Sequence, residues 1–174
     1  MSRNIVDAIS NSKIYDWLVK IQKYIMLATT IIMLLVLSCV VVMRYVFHKD
    51  FFGYDEIVLI SSFWMYFIGA SYAMYEGTHV KADIFMKMFS DKTQSIIKVF
   101  AGTVQTALSM YVTFLAYQLI IRSLVTKGIT TSYNIPFIVP QMSIFVGFAL
   151  ATFYLTLYTL KDLSVCINKF KIKG

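Results

Sequence analysis

Few side chains in this sequence are of the kinds that do chemistry, and their spacing limits what they can do. Glu76, His79 and Asp83 fall at i, i+3 and i+7, so one helical face would present all three. Imidazole and carboxylate are common metal ligands, and the set amounts to half of such a site. With one His, no Cys and a loop beside it, the set reads better as a His and an Asp fixing that loop at a membrane surface, and no metal is expected. The other histidine, His48, lies at the end of a different apolar segment. A membrane cytochrome needs axial His inside its spans, so haem is not expected. No Ser–His–Asp set, Cys–His pair or Gly-rich phosphate loop occurs. Cys39 and Cys166 have neither metal spacing nor a disulfide framework. Asp55 and Glu56 are neighbours and project in different directions from a helix, which suits capping better than paired acid–base work. No catalytic residue, substrate-binding residue or cofactor is expected in this chain.

Arg44, Asp55 and Glu56 bracket a short connection. If the segments on either side form a tight hairpin, Arg44 can approach one of the two acids. Such a pair would lock the hairpin or contact a partner or substrate path, and the locking role is favoured. Asp55 is also placed as an amino-terminal cap, where a carboxylate meets unpaired backbone N–H groups.

The elements that would carry these residues are set by composition. The 174 residues are 59% hydrophobic and 14% charged, with mean hydropathy +0.70. Soluble domains average about 25% charged residues, and here the apolar residues come in blocks. A bilayer core of roughly 30 Å needs about 20 helical residues. Four segments qualify, at about 24–43, 57–75, 99–121 and 135–160. Strands spanning a membrane would be half as long and would alternate polar with apolar. The expected fold is therefore all-α integral membrane, one domain over 1–174 with four transmembrane helices.

Two interfacial amphipathic segments are expected beside the spans. Over 13–23, Ile14, Trp17, Leu18 and Ile21 recur at helical spacing between charged residues. Over 80–89, Val80, Ile84 and Met88 repeat every four residues. The connection after the third span is rich in Gly, Thr, Ser and Asn, as a solvent-facing loop should be. Pro136 and Pro140 suit the first turn of the fourth span. The first 23 residues mix polar and apolar types, unlike a cleaved signal peptide.

Charge decides orientation. Twelve of the sixteen Lys and Arg lie before the first span, between the second and third, or after the fourth. Arg44, Lys49, Arg122 and Lys127 make up the other side. Cytoplasmic loops carry the excess of Lys and Arg, so both termini are expected in the cytoplasm. The net charge of +7 is spread in small groups between apolar blocks. A nucleic-acid binder would gather it on one face, so no nucleic acid is expected. Charges are nearly absent from mid-span, which argues against a proton or ion relay within this chain. Gly69 with Ala70, Ser71 and Ala73, and Gly102 with Thr103, Thr106 and Ala107, make small-residue patches suited to close helix packing.

The stretch from Arg44 to Asp83 carries R-Y-V-F at 44–47, G-Y-D-E at 53–56, G-A-S-Y-A at 69–73 and G-T-H-V-K-A-D at 77–83. Fainter echoes continue at Ile135–Pro136 and Gly147–Phe148. In this order the pieces resemble the small, Q-type membrane subunit of tripartite ATP-independent periplasmic (TRAP) transporters. Many relatives place Trp near the Glu56 position; Tyr54 stands nearby here, which weakens any role for an indole. The resemblance implies that Arg44, Gly53, Asp55, Glu56, Gly69, Gly77, His79 and Asp83 serve structure or partner contact.

It further implies a bacterial inner-membrane subunit embedded in lipid and packed on a separate, large multi-span permease that carries the substrate and sodium sites and moves as an elevator. A periplasmic substrate-binding protein would deliver an organic acid of the sialic acid or dicarboxylate class, and sodium would drive its uptake. Other readings need other features. A small multidrug-type exchanger would want a membrane-embedded acid, and a respiratory anchor would want axial His. A structural or anchoring four-helix subunit of another complex would need neither, and is the alternative.

Overall fold

The computed structural model describes residues 13–76 and 91–171. Four helices account for nearly all of them: α1 (Lys13–Tyr45), α2 (Tyr54–Tyr75), α3 (Asp91–Thr126) and α4 (Ile138–Lys171). Each is long and apolar enough to cross a membrane. Among the described residues the only extended pairing is an isolated bridge between Ile129 and Pro136. The protein is all-helical, as composition requires.

Helix lengths depart from the apolar segments in an instructive way. Residues 13–23 do not form a separate surface helix; they run into the first span as the start of the 33-residue α1. No Gly or Pro interrupts residues 13–45, so nothing breaks the backbone hydrogen-bond ladder where apolar character begins. The early turns keep two faces: Val19 and Gln22 are buried, whereas Trp17, Lys20 and Lys23 are exposed. The second expected surface segment, 80–89, lies outside the described residues. Pro140 sits in the first turn of α4, where its missing N–H costs nothing. Pro136 falls just before the helix and its carbonyl accepts from Val139 N at 3.0 Å.

In space the helices follow the order α1, α2, α4, α3, each packed on the next. The last helix in sequence is therefore interior, and α4 is the most buried while α1 is the most exposed. The connections 46–53 and 127–137 share one end of the bundle, called here the loop end. The start of α1 and the end of α2 lie at the other.

The hydrophobic effect does not drive helices together in lipid, so small residues and interhelical hydrogen bonds must. At Gly147 a Cβ would lie 2.6 Å from the Phe67 carbonyl oxygen, which shows how closely α4 approaches the α2 backbone. The Trp64 indole N–H donates to the Val139 carbonyl at 3.2 Å across the same pair. Between α3 and α4, hydroxyls form a ladder: Thr106 with Thr159 at 3.0 Å, Ser109 with Thr152 at 2.7 Å and Thr113 with Thr152 at 3.0 Å. Gly102 makes room beside it, facing the Thr159 side chain.

Candidate functional site

The best-defined polar site lies at the loop end, where two connections are clasped together. Its first element is the turn into α2. Gly53 adopts φ 78°, a left-handed conformation that any Cβ would strain. A Cβ there would also sit 2.6 Å from the Tyr133 ring and 2.9 Å from Ser132. Gly53, rather than Asp55, is the N-cap of α2, and no side chain caps the helix. Asp55 and Glu56 fall in the first turn, where the positive end of the helix dipole favours both.

Glu56 occupies the third helical position, from which such a side chain often reaches back to its own cap. Here it reaches across to the 127–137 connection instead. Ser132 N donates to Oε1 at 2.6 Å, Tyr133 N donates to Oε2 at 3.0 Å, and the Thr131 hydroxyl lies 3.4 Å from Oε1. Both carboxylate oxygens therefore accept charge-assisted bonds, the condition under which a carboxylate tolerates burial; Glu56 is 6% exposed. Tyr133 completes the clasp by donating its hydroxyl to the Phe52 carbonyl at 3.2 Å.

The clasped connection is itself ordered by local bonds. Thr130 N donates to the Ile135 carbonyl at 2.9 Å and Phe137 N to the Gly128 carbonyl at 3.0 Å. Ile135 N donates to the Thr130 hydroxyl at 2.9 Å. Asn134 takes φ 55°, a left-handed turn that Asn tolerates. An acceptor surrounded by donors in this way holds two loops in register. It is a clasp, not a reacting group.

Arg44 does not meet Asp55 or Glu56. Its guanidinium lies 3.9 Å from Asp50, with both side chains largely exposed. The reason is geometric: Gly53 turns the start of α2 toward the 127–137 connection, and Glu56 is taken by its amides. Asp55 is exposed to solvent. Gly69 faces α1, with Met26 Sδ 3.7 Å from its notional Cβ, an ordinary contact. Gly77, His79 and Asp83 lie outside the described residues.

Sequence reasoning passed over the polar centre near the other end. Gln22 is 1% exposed; it donates to the Tyr154 hydroxyl at 2.6 Å and accepts from the Ser71 hydroxyl at 3.0 Å. Three helices are joined there by one amide. The rings of Tyr15, Tyr75 and Tyr154 meet around it at 5.6–5.7 Å, and the Tyr158 hydroxyl donates to the Tyr75 carbonyl. One signal was available: an uncharged amide among charged residues, one helical turn from Val19 and Leu18.

The helix order leaves a groove, because α2 and α3 both pack on α4 and stand apart from each other. It is lined by Phe67, Ala70, Met74, Leu108, Gly147 and Ala151 among others and has a volume of about 220 Å³. Gln105 Nε2 reaches to 3.9 Å from Met74 Sδ across it. The walls are almost wholly apolar, with small residues on α2 and α4 that let a neighbouring side chain enter.

The family model described as tripartite ATP-independent periplasmic transporters, DctQ component, matches residues 32–164. That range begins within α1, ends within α4 and takes in the Glu56 clasp, the groove and the hydroxyl ladder. The chain belongs to the DctQ family. It is a component of a TRAP transporter, which agrees with the resemblance carried by residues 44–83. No curated protein shows a significant match to the chain. The clasp fixes the loop end, and the groove presents an apolar surface.

Proposed function

We propose that this chain is the small, non-catalytic membrane subunit that packs on and stabilises the large elevator-type permease of a TRAP transporter. It serves sodium-driven uptake of an organic acid, of the sialic acid or dicarboxylate class, delivered by a periplasmic binding protein. The observation that carries this reading is the family match across all four helices. The bundle supports it. Several of its interior polar groups join helices or connections to one another, as suits a rigid stator against which another subunit moves. The groove between α2 and α3 supplies an apolar, small-residue surface for a large side chain of a partner helix.

The orientation that goes with this role puts both termini in the cytoplasm of a bacterial inner membrane. Arg44, Lys49, Arg122 and Lys127 gather at the loop end, which would face the periplasm. The Glu56 clasp would then stiffen the face nearest the arriving binding protein.

The test is isolation of the chain from its native membrane in mild detergent, followed by identification of its companions. A large multi-span permease is expected in stoichiometric amount. Ala70→Trp, which fills the groove, is expected to lose that companion while the isolated chain stays folded. Reconstituted vesicles should take up organic acid with sodium only when all three components are present. Isolation without a multi-span companion, or with an unrelated enzyme complex, would sink the proposal.

A further inference from the structure

The outer face of α1 carries one uninterrupted stripe. Lys13, Trp17, Lys20 and Tyr24 fall at i, i+4, i+7 and i+11, so they project from the same side of the helix. All four are exposed, Trp17 by 63% and Tyr24 by 69%. Val19 and Gln22, which are buried against the bundle, lie on the opposite side. Leu27, Ile31 and Leu35 continue the stripe at the same spacing and are exposed as well.

The four leading side chains each offer a hydrogen-bond donor, and two of them carry a full positive charge. Among the described residues, Lys13 and Lys20 make no ion pair, and the Trp17 N–H and Tyr24 O–H have no acceptor. Lys23 is occupied differently, its Nζ standing 5.3 Å from the centre of the Tyr72 ring. Asp16 flanks the stripe, exposed, and pairs with neither lysine. Helical side chains lean toward the N-terminus of their helix. α1 enters the apolar layer by that end, since the charge-free run begins at Tyr24. The polar tips of Trp17, Lys20 and Tyr24 are therefore carried toward the headgroups, while their rings and stem stay beside hydrocarbon. Lys13 stands about 10 Å further out along the axis, on the aqueous side of the same level.

A stripe of this make selects its occupant. A partner helix would want small residues for close approach, and the stripe has none from Lys13 to Leu35. A soluble phosphate would leave Leu27, Ile31 and Leu35 uncovered. A phospholipid uses both halves. We propose that this stripe of α1 binds an anionic phospholipid, its phosphate held by Lys13 and Lys20 with the Trp17 and Tyr24 donors, and its acyl chains laid along Leu27, Ile31 and Leu35. Phosphatidylglycerol has the required charge. Phosphatidylcholine neutralises its own phosphate and would bring a third cation against the two lysines. The contact belongs to this chain alone and does not depend on the permease assignment.

Trp17 lies between the lysines and reports on the stripe directly once Trp64→Phe has removed the other indole. The full chain with that change is reconstituted in phosphatidylcholine vesicles holding a minor share of phosphatidylglycerol, with brominated acyl chains on one lipid or the other. Quenching of Trp17 per labelled lipid should be greater for phosphatidylglycerol by about fivefold or more, the scale of one lysine at an anionic surface. Lys13→Gln together with Lys20→Gln should bring the two lipids level. Lys161→Gln, which removes an exposed cation from the same end of the bundle, should leave the preference intact. Glycerol 3-phosphate in the buffer should relieve no quenching. Equal quenching by the two lipids overturns the proposal, as does a preference that survives the loss of both lysines. An equal loss from Lys161→Gln overturns it in favour of a diffuse surface potential, and relief by glycerol 3-phosphate in favour of a soluble ester. Native mass spectrometry of the chain with Trp64 in place, offered the two lipids with matched acyl chains, reads the same preference and keeps the test standing if Trp64→Phe fails to fold.

Discussion

Replacing Gly147 by alanine tests the α2–α4 crossing on which the bundle is built. The added Cβ would stand 2.6 Å from the Phe67 carbonyl oxygen, 2.8 Å from its Cβ and 2.9 Å from its carbonyl carbon. Comfortable carbon contacts lie at about 3.5–4.0 Å. All three atoms belong to the backbone or its first carbon, so no rotamer change relieves the clash. The helices must separate locally by about 1 Å. That movement also strains the Trp64–Val139 hydrogen bond of 3.2 Å and the Phe67–Phe148 ring contact of 5.9 Å. Overpacking of this kind costs about 1–3 kcal/mol. Against it stands a gain of about 0.5–1 kcal/mol from replacing a mid-helix glycine. The net expectation is destabilisation by about 1–2 kcal/mol, a roughly 5–30-fold fall in the ratio of folded to unfolded protein. Gly69→Ala is the matched control. The new methyl group meets only Met26 Sδ at 3.7 Å, so the variant should be neutral or up to about 1 kcal/mol more stable. Both can be measured by reversible unfolding in mixed micelles, followed by circular dichroism. Equal stability of the two variants would refute the close approach at Gly147.

Further perturbations at Gln22, Glu56 and Arg44 separate the other contacts. Gln22→Leu strips the Tyr154 and Ser71 hydroxyls of a partner and should cost about 1–3 kcal/mol; adding Tyr154→Phe should recover part of it, whereas strict additivity would argue against the bond. Glu56→Gln puts an amide where the clasp needs two acceptors, so hydrogen exchange at the Ser132 and Tyr133 amides should quicken by about tenfold or more. Asp55→Asn should leave those rates unchanged, and a response from both would point to the α2 dipole instead. Arg44→Ala should alter stability by less than about 1 kcal/mol, since its pair with Asp50 is long and exposed. Glu56→Ala should sharply lower the yield of folded chain in size-exclusion chromatography, and an equal loss from Arg44→Ala would contradict the placement of these charges.

Comparing Arg44 with Glu56 shows where sequence reasoning ended. Both were legible as charges at the mouth of a hairpin, and pairing them was the natural economy. The clasp needed a third party, since the amides that hold Glu56 lie 76 and 77 positions away and backbone amides carry no sequence signature. Gly53 offered more, because a glycine before a helix suggests a left-handed turn, yet the Tyr133 ring that closes over it is equally remote. Gln22 shows the same limit. A lone amide in an amphipathic segment is unremarkable until Ser71 and Tyr154 arrive from two other helices.

What the sequence determined by itself is the part governed by local physics. Twenty apolar residues match the thickness of a bilayer wherever they occur, and only a helix satisfies their backbone within the segment. Four such helices follow without any knowledge of neighbours, as does the gathering of four cations at the loop end. Tertiary structure decided the order α1, α2, α4, α3 and the burial of the last helix, and with them the groove. Lipid tails solvate one leucine face as well as another. Apolar patterning therefore cannot choose partners in a membrane. A few glycines, hydroxyls and amides make that choice, and their complementarity exists only once the helices meet.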